Sequence, residues 1–193
     1  ISSTINQHLL DSVCRDYLNF NAERCFGVLN PLKVTIQNYK DEFRLIERPI
    51  NPLDSSLGTK QIILEKTVYI EYDDFRENAN KKYFRLKPGK SVRLKYGGII
   101  TYKSHVKDDD TDIIKEVFVD YSPQQVKVKG TIHWTSENKD SKIVFFDYKK
   151  MEKTIYNGKV NKTNSDYLQF ERLGYFKKID DNTYHNLCSL KED

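Results

Sequence analysis

Residues 74–95 read DFRENANKKYFRLKPGKSVRLK, and the second half of this stretch combines charge with regular alternation. Its SVRLK ending alternates apolar and basic side chains, which predicts a strand with one buried face and one basic face. The basic residues of this half, among which no acidic residue occurs, are Lys81, Lys82, Arg85, Lys87, Lys90, Arg93 and Lys95. Tyr83 and Phe84 lie among them, and rings beside cations suit single-stranded nucleic acid. A solvated lysine-rich face on an ordinary barrel has the same composition, so both interpretations stay open here.

The whole chain sets limits on the protein class. Its 193 residues suffice for one large or two small domains. It has 32 basic and 28 acidic residues and a formal net charge of +4, so the basic signal is local. Cys14, Cys25 and Cys188 include no closely spaced pair, which argues against a disulfide scaffold or a structural zinc site. With no long apolar run and no signal-peptide pattern, we expect a cytoplasmic location.

Periodicity predicts one opening helix followed by many short strands. Apolar side chains between Ile5 and Leu18 recur at helical spacing. After Pro31 the chain changes to short β-rich runs separated by turn residues, which predicts a β-barrel or sandwich. Residues 126–134 alternate large apolar side chains with lysine and histidine, which predicts a half-buried strand with a basic outer face.

Four ordered motifs identify a possible family. They are NFNAER at 19–24 leading into VLNPLKV at 28–34, the stretch 74–95, KVKGTIHWTS at 127–136, and QFERLGYF at 169–176. In this combination the chain resembles, from about residue 9 to its end, the C-terminal anticodon-binding region of class I glutaminyl-tRNA synthetases. Its LKED ending is similar to eukaryotic members of that family. Eukaryotic glutamyl-tRNA synthetases share the architecture, but FRENANKKYFRL and GTIHW resemble the glutaminyl branch.

The resemblance implies a mainly β fold. It would consist of two β-barrels, one inserted in the other and similar to a ribosomal-protein barrel, preceded by a short helical connector. The expected limits are 1–24 for the end of the connector, 25–72 with 140–193 for the proximal barrel, and 73–139 for the distal barrel.

The resemblance also implies recognition without catalysis. The chain contains neither the HIGH-like nor the KMSKS-like signature of class I synthetases, and no glycine-rich phosphate loop. We therefore expect no catalytic, cofactor-binding or metal-binding residue in it. The full-length parent would be a glutamine–tRNA ligase that uses ATP and Mg²⁺ and has its catalytic domain upstream. The expected partner is the anticodon loop of glutamine tRNA, and a multi-synthetase complex is a further candidate partner.

By the same resemblance, eight residues are expected to contact tRNA: Asn19, Arg24, Lys82, Arg85, Arg93, Lys95, Gln169 and Arg172. Arg24, Gln169 and Arg172 would converge on the central uridine of the anticodon. The resemblance also implies that Arg85 would meet the third base, a guanine. A guanidinium fork suits such a role, since it can meet a base carbonyl and a ring nitrogen together.

The remaining expected contacts involve the first base, the anticodon backbone and the phosphates. Arg93 would lie beside that base, and Asn19 would hold the anticodon backbone or a neighbouring base. Lys82 stands where bacterial members have glutamine, which predicts a phosphate contact in place of a base contact. Lys95 stands where arginine is usual, which removes a bidentate contact.

Purely structural interpretations stay open for some of these residues. Arg24 would also serve to cap the first helix or to pair with Glu23. Gln169 and Arg172 are three positions apart, so they reach one pocket only if their strand bends or ends. For the chain as a whole, the alternatives are a stand-alone RNA-binding barrel and a protein-interaction module of a synthetase complex.

Overall fold

The structure, a computed structural model, describes residues 7–191, so the start of the expected connector and the end of LKED lie outside the described residues. The described chain is mainly β, as predicted, with one α-helix, α1 (Gln7–Asn21). The strands are β1 (Glu23–Cys25), β2 (Gly27–Leu29), β3 (Pro31–Ile36), β4 (Leu45–Pro49), β5 (Thr59–Ile63), β6 (Thr67–Glu71), β7 (Ser91–Leu94), β8 (Ile99–Lys107), β9 (Ile114–Ser122), β10 (Thr131–Ile132), β11 (Asn138–Asp147), β12 (Glu152–Asn161), β13 (Tyr167–Phe170), β14 (Gly174–Asp180) and β15 (Thr183–Cys188). Short 3-10 helices lie at Asp41–Phe43, Ser55–Leu57 and Tyr72–Asp74.

One barrel is a seven-stranded sheet in the order β1-β13-β14-β15-β11-β12-β2. Strands β1 and β2 precede Asn30 in the chain, whereas the other five strands come after residue 137. The chain therefore leaves this sheet and later returns to it. Inward-facing side chains fill its interior, and the rings of Phe170 and Phe176 stack with their centroids 4.5 Å apart.

The other barrel is a six-stranded sheet in the order β10-β7-β8-β9-β3-β6. All its strands lie between Pro31 and Ile132, so it is inserted between β2 and β11 of the first sheet. Trp134 packs into its core, and the indole Nε1 donates to the carbonyl of Lys95 at 3.0 Å. Both sheets curve into nearly closed barrels, which confirms the prediction of two barrels with one inserted in the other.

Strand pairing divides the chain differently from the expected limits. Strands β3 and β6 fall within 25–72, yet they pair in the six-stranded sheet with strands from 73–139. The cause is β3, whose Leu32, Val34 and Ile36 are buried in the same core as the strands of the inserted barrel. A strand that changed sheet would expose these side chains. Sheet membership does not define separately folding units, so the domain limits themselves stay a prediction.

The strand expected over residues 126–134 is much shorter than predicted. Only β10 pairs, in parallel with β7, and the residues before it form an irregular segment. Val126 is exposed, whereas His133, expected on the outer face, is buried with its Nε2 3.4 Å from Oε1 of Glu71. The alternation prediction is therefore wrong here, because the chain packs His133 against the end of β6 instead of following the sheet surface.

Candidate nucleic-acid interface

One buried carboxylate joins two of the arginines predicted to read the anticodon. Asp74 ends the 3-10 helix Tyr72–Asp74, and its side chain is 0% exposed. Arg85 Nη1 lies 2.8 Å from Asp74 Oδ1, and Arg172 Nη2 lies 2.6 Å from Asp74 Oδ2. Arg172 follows Asp74 by 98 positions in the chain. Because a buried charge requires partners, Asp74 holds both guanidinium groups at one place.

Both arginines keep donors beyond those used on Asp74. The Arg85 side chain is 42% exposed and the Arg172 side chain is 30% exposed. Arg172 also places Nη1 3.3 Å from Asp74 Oδ1, so it approaches the carboxylate with two N–H groups. A guanidinium carries five N–H donors in one plane. The donors left over can meet acceptor atoms of a base edge or a phosphate.

A second carboxylate lies under Arg172. Glu71 Oε2 is 3.6 Å from Arg172 Nη2, and Glu71 Oε1 is 3.4 Å from His133 Nε2. Burial alone would raise the pKa of Glu71, but its neighbours His133 and Arg172 lower that pKa below its ordinary value. Glu71 therefore stays ionised at neutral pH and strengthens the anchoring of Arg172.

Arg172 occupies the turn between β13 and β14. Its φ is 64°, in the left-handed region, and Gly174, the first residue of β14, has a φ of 141°. Residues other than glycine are uncommon in that region and occur often at functional sites. Strand β13 ends at Phe170, so the chain changes direction between Gln169 and Arg172. The predicted condition that the strand ends between these two residues is met.

Arg24 and Gln169 come together on neighbouring strands. They are register partners in the parallel pair β1–β13, so their side chains leave the sheet on the same side. Arg24 is 8% exposed. Arg24 Nη1 and Gln169 Oε1 are buried and have no hydrogen-bond partner within residues 7–191. One unmet donor and one unmet acceptor therefore lie on paired positions.

The other donors of Arg24 fasten the end of α1 to the barrel. Arg24 Nη2 donates to the carbonyl of Asn19 at 2.8 Å and to Asn19 Oδ1 at 3.0 Å. The hydroxyl of Tyr175 donates to the same Asn19 Oδ1 at 3.1 Å. Burial lowers the pKa of the Arg24 guanidinium from its ordinary value. The helix-end role weighed as an alternative for Arg24 is thus present, and it leaves Nη1 unused.

The remaining predicted residues lie on and beside β7. Arg93 donates to the Oε1 of Gln125 and, at 2.7 Å, to the carbonyl of Val126, so it fastens the irregular segment before β10. Lys95 Nζ lies 3.3 Å from Oε1 of Glu171, the residue before Arg172. Lys82 is exposed, and its backbone N–H donates to Oδ1 of Asn80 at 2.9 Å.

Five of the eight predicted residues lie in two neighbourhoods, with Asn19 and Gln169 beside Arg24, and Arg85 and Arg172 around Asp74. Sequence reasoning missed the carboxylates that contact these arginines, namely Glu71 and Asp74, and also Glu171, which contacts Lys95. A signal for Asp74 was available, because an acidic residue that opens a strongly basic motif is a candidate partner for its arginines. No such signal exists for Arg172, whose closeness to Asp74 depends on the packing of the two barrels.

No group of three or more histidine, cysteine, aspartate or glutamate side chains in residues 7–191 could hold a metal ion. Over the same residues, no helix has the length and apolar character to cross a bilayer.

Comparison with known families decides how this geometry is interpreted. Residues 22–122 match the family of tRNA synthetases class I (E and Q), anti-codon binding domain. The chain belongs to this family. The anticodon-binding domain so identified includes β1, the whole of the inserted six-stranded sheet except β10, and the basic stretch 74–95.

Several glutamine–tRNA ligases are similar to this anticodon-binding domain. That of Rhodopirellula baltica is 34% identical over 94% of this chain and 36% of its own length. That of Clostridium perfringens is 39% identical over 70% of this chain and 26% of its own length. That of Bordetella avium is 42% identical over 69% of this chain and 24% of its own length. The chain therefore spans about a quarter to a third of these relatives, and its eukaryotic-like character stays a prediction.

Proposed function

We propose that this chain is the anticodon-binding part of a glutamine–tRNA ligase and that its partner is the anticodon loop of glutamine tRNA. The observation that carries the proposal is the shared carboxylate Asp74. It brings together Arg85 and Arg172, which come from distant parts of the chain and keep donors for base edges. Family membership and the named relatives support the same reading.

The neighbourhood of Arg24 has the chemistry to read a uridine. The Watson–Crick edge of uracil places an N–H donor between two carbonyl acceptors. Gln169 Oε1 is an unmet acceptor and Arg24 Nη1 an unmet donor, so the pair is complementary to that edge. A base inserted there would satisfy two polar atoms that are otherwise buried without partners. Arg172, with Asn19 beside Arg24, would complete the contacts to the central base and its backbone.

Arg85 would read the third base. Guanine presents two acceptors, O6 and N7, that one guanidinium can meet together. Asp74 fixes the Nη1 side of Arg85, so the approach of the base is restricted to the remaining donors. This preorganisation lowers the entropy lost when the loop binds.

Arg93, Lys95 and Lys82 would contact the first base and the phosphates. Arg93 would contact the first base after exchanging its present contacts with Gln125 and Val126. Lys95 would contribute a single charge there, and the exposed Lys82 would contact a phosphate. Phosphate contacts of this kind position the loop without reading its sequence.

The catalytic part of the parent would lie outside this chain. Activation of glutamine with ATP and Mg²⁺ would belong to that upstream domain, and this chain alone would be catalytically inert. The parent would act in the cytoplasm, alone or in a multi-synthetase complex. A stand-alone RNA-binding barrel is the other proposal for the chain, and anticodon specificity separates the two.

The test is binding of the purified chain to anticodon stem-loops. The loops carry the glutamine anticodon CUG or UUG, or the same loop with the second or third base changed. We expect each changed base to weaken binding by about 1–3 kcal/mol. Equal affinity for all loops would reject anticodon reading and favour the stand-alone barrel. No binding to any of them would reject tRNA as the partner.

A further inference from the structure

A basic groove lies beside Arg85. It has a volume of about 580 Å³ and is lined on one side by residues 81–91 and on the other by residues 127–130. Its basic side chains are Lys81, Arg85, Lys87, Lys90, Lys127 and Lys129. No acidic side chain within the described residues is part of this lining. The groove therefore concentrates positive charge in a chain of nearly balanced composition.

Backbone hydrogen bonds hold both walls of the groove in place. Leu86 donates its backbone N–H to the carbonyl of Asp74 at 3.0 Å, which holds the first wall next to the Arg85 anchor. The second wall is held by Arg93, whose backbone N–H donates to the carbonyl of Gly130 at 2.9 Å. The groove is thus formed before any ligand binds.

Gly130 brings the two walls into direct contact. A Cβ added at Gly130 would lie 1.7 Å from the carbonyl oxygen of Phe84, so only glycine permits this approach. The contact fixes the backbone of Phe84 at the edge of the groove.

Phe84 presents a ring in this charged surface. Its side chain is 50% exposed, and the Nζ of Lys129 lies 5.6 Å from the ring centroid. A single exposed apolar side chain is ordinary on a protein surface. An exposed ring surrounded by cations and fixed by backbone contacts is a surface suited to stack on an unpaired base while lysines contact its phosphates.

We propose that this groove binds one unpaired nucleotide of the RNA, adjacent to the base that Arg85 contacts. The nucleobase stacks on Phe84, and the flanking phosphates contact Lys127, Lys129 and Lys90. The groove is lined by lysines and offers no bidentate reader except Arg85 at its edge, so this subsite accepts any base. The inference rests on the proposed function, because it places the nucleotide within the anticodon loop.

The test follows stacking directly. Anticodon stem-loops carry the fluorescent base 2-aminopurine at one loop position at a time, on either side of the third anticodon base. The fluorescence of 2-aminopurine is quenched when it stacks. At the position that occupies the groove, we expect quenching on binding the native chain, loss of that quenching with Phe84→Ala, and its recovery with Phe84→Tyr. We also expect Phe84→Ala to weaken binding about tenfold, whichever base occupies that position.

The matched control is Phe20→Ala, which removes another exposed phenylalanine, on α1 and outside the groove. It should leave both quenching and affinity unchanged. Unchanged quenching and affinity in Phe84→Ala would overturn the proposal. The proposal would also be overturned if the loss of affinity in Phe84→Ala depended on which base occupies the groove position. Binding of polyglutamate as tight as that of RNA and insensitive to Phe84→Ala would also overturn it, because the groove would then be a general anion surface.

The outcome is separable from that of the proposed function. Phe84-dependent quenching without any preference among anticodons would keep the groove and reject anticodon reading. A preference among anticodons, together with unchanged affinity and quenching in the Phe84→Ala variant, would support anticodon reading and reject the groove as a nucleotide subsite.

Discussion

Arg24 and Gln169 are direct register partners in the parallel pair β1–β13, and each keeps one buried polar atom without a hydrogen-bond partner among residues 7–191. Buried polar groups in folded proteins are almost always paired. An unmet donor and an unmet acceptor on partnered positions therefore indicate that a ligand completes the set. The ligand that we propose for these two atoms is the edge of a base.

The first prediction concerns Gln169→Met, which keeps side-chain length but removes the acceptor. We expect discrimination in favour of uridine at the second anticodon position to fall by about 1–3 kcal/mol. Because Oε1 has no partner in the free chain, the free energy of unfolding should change by less than about 1 kcal/mol. Affinities for loops with each second base, together with urea unfolding, measure both effects. Gln37→Met, at an exposed position, is the control, and an equal loss of discrimination there would contradict the prediction.

The second prediction couples Arg85 to the third anticodon base and Arg172 to the second. Each arginine-to-alanine variant should lose about 1–3 kcal/mol of binding to the cognate loop, and much less to a loop whose matching base is already changed. Double-mutant cycles over protein and RNA variants give the two coupling energies. Arg44→Ala, an exposed arginine outside the interface, should couple to neither base. Coupling near zero for both Arg85 and Arg172 would remove them as readers.

The third prediction concerns the carboxylate that Arg85 and Arg172 share. Asp74→Asn keeps the shape but removes the charge that holds both guanidinium groups, so discrimination at the second and third bases should fall together. Stability should also fall, by about 1–3 kcal/mol, because two cations lose their common partner. Asp73→Asn is the matched control, since Asp73 is its neighbour but its side chain is 80% exposed. Loss of discrimination at only one base would show that Asp74 does not organise both arginines.

The fourth prediction concerns salt. If about three to five lysines and arginines contact phosphates, the logarithm of the affinity should fall with the logarithm of salt concentration at a slope of roughly −2 to −4. Lys90→Ala should make that slope shallower by about 0.7 and weaken cognate and altered loops alike. Lys153→Ala, on β12 and outside the groove, should leave the slope as it is. A flat salt response of the native chain would mean that the basic face is not the binding surface.

The fifth prediction concerns Glu23, next to Arg24 on β1. Its carboxylate accepts from Lys60 at 2.5 Å and from Thr163 and Ser165 at 2.6 Å each. Burial alone would raise the pKa of Glu23, but these hydrogen bonds and the Lys60 charge lower it below 4.5. A lowered folded-state pKa stabilises the fold above the unfolded pKa, and this stability is lost as pH falls through the folded value.

Glu23→Gln should therefore reduce the free energy of unfolding by about 1–2 kcal/mol at pH 7. The difference in the free energy of unfolding between the variant and the native chain should shrink as pH falls below about 4.5, the ordinary pKa of a glutamate side chain. Urea unfolding across pH measures it, with the exposed Glu152→Gln as the control. A difference that does not depend on pH would mean that the ionised form of Glu23 is not what these contacts stabilise.

Local pattern predicted much of the fold. The alternation in SVRLK became β7, with Val92 and Leu94 buried, and the β-rich runs after Pro31 became strands of two barrels. The motifs also predicted the family. These features depend on which side of a strand each residue faces, and that follows from spacing along the chain.

The local pattern does not determine the backbone path or the strand pairing where contacts with other elements decide them. Residues 126–130 alternate as a strand should, but Arg93 and Gly130 hold them as an irregular wall. The sheet in which β3 pairs is likewise not a local property, because its buried side chains fit the core of the inserted barrel.

By itself, the sequence determined the class of fold, the family and the residue types suited to reading RNA, because periodicity, turn residues and motifs are local properties. Only the tertiary structure decided that Arg85 and Arg172 share Asp74 and that Arg24 lies opposite Gln169. Those relationships join positions far apart in the chain. They arise because a buried carboxylate must find cations, and paired strands must bring their side chains to one face, wherever the barrels place them.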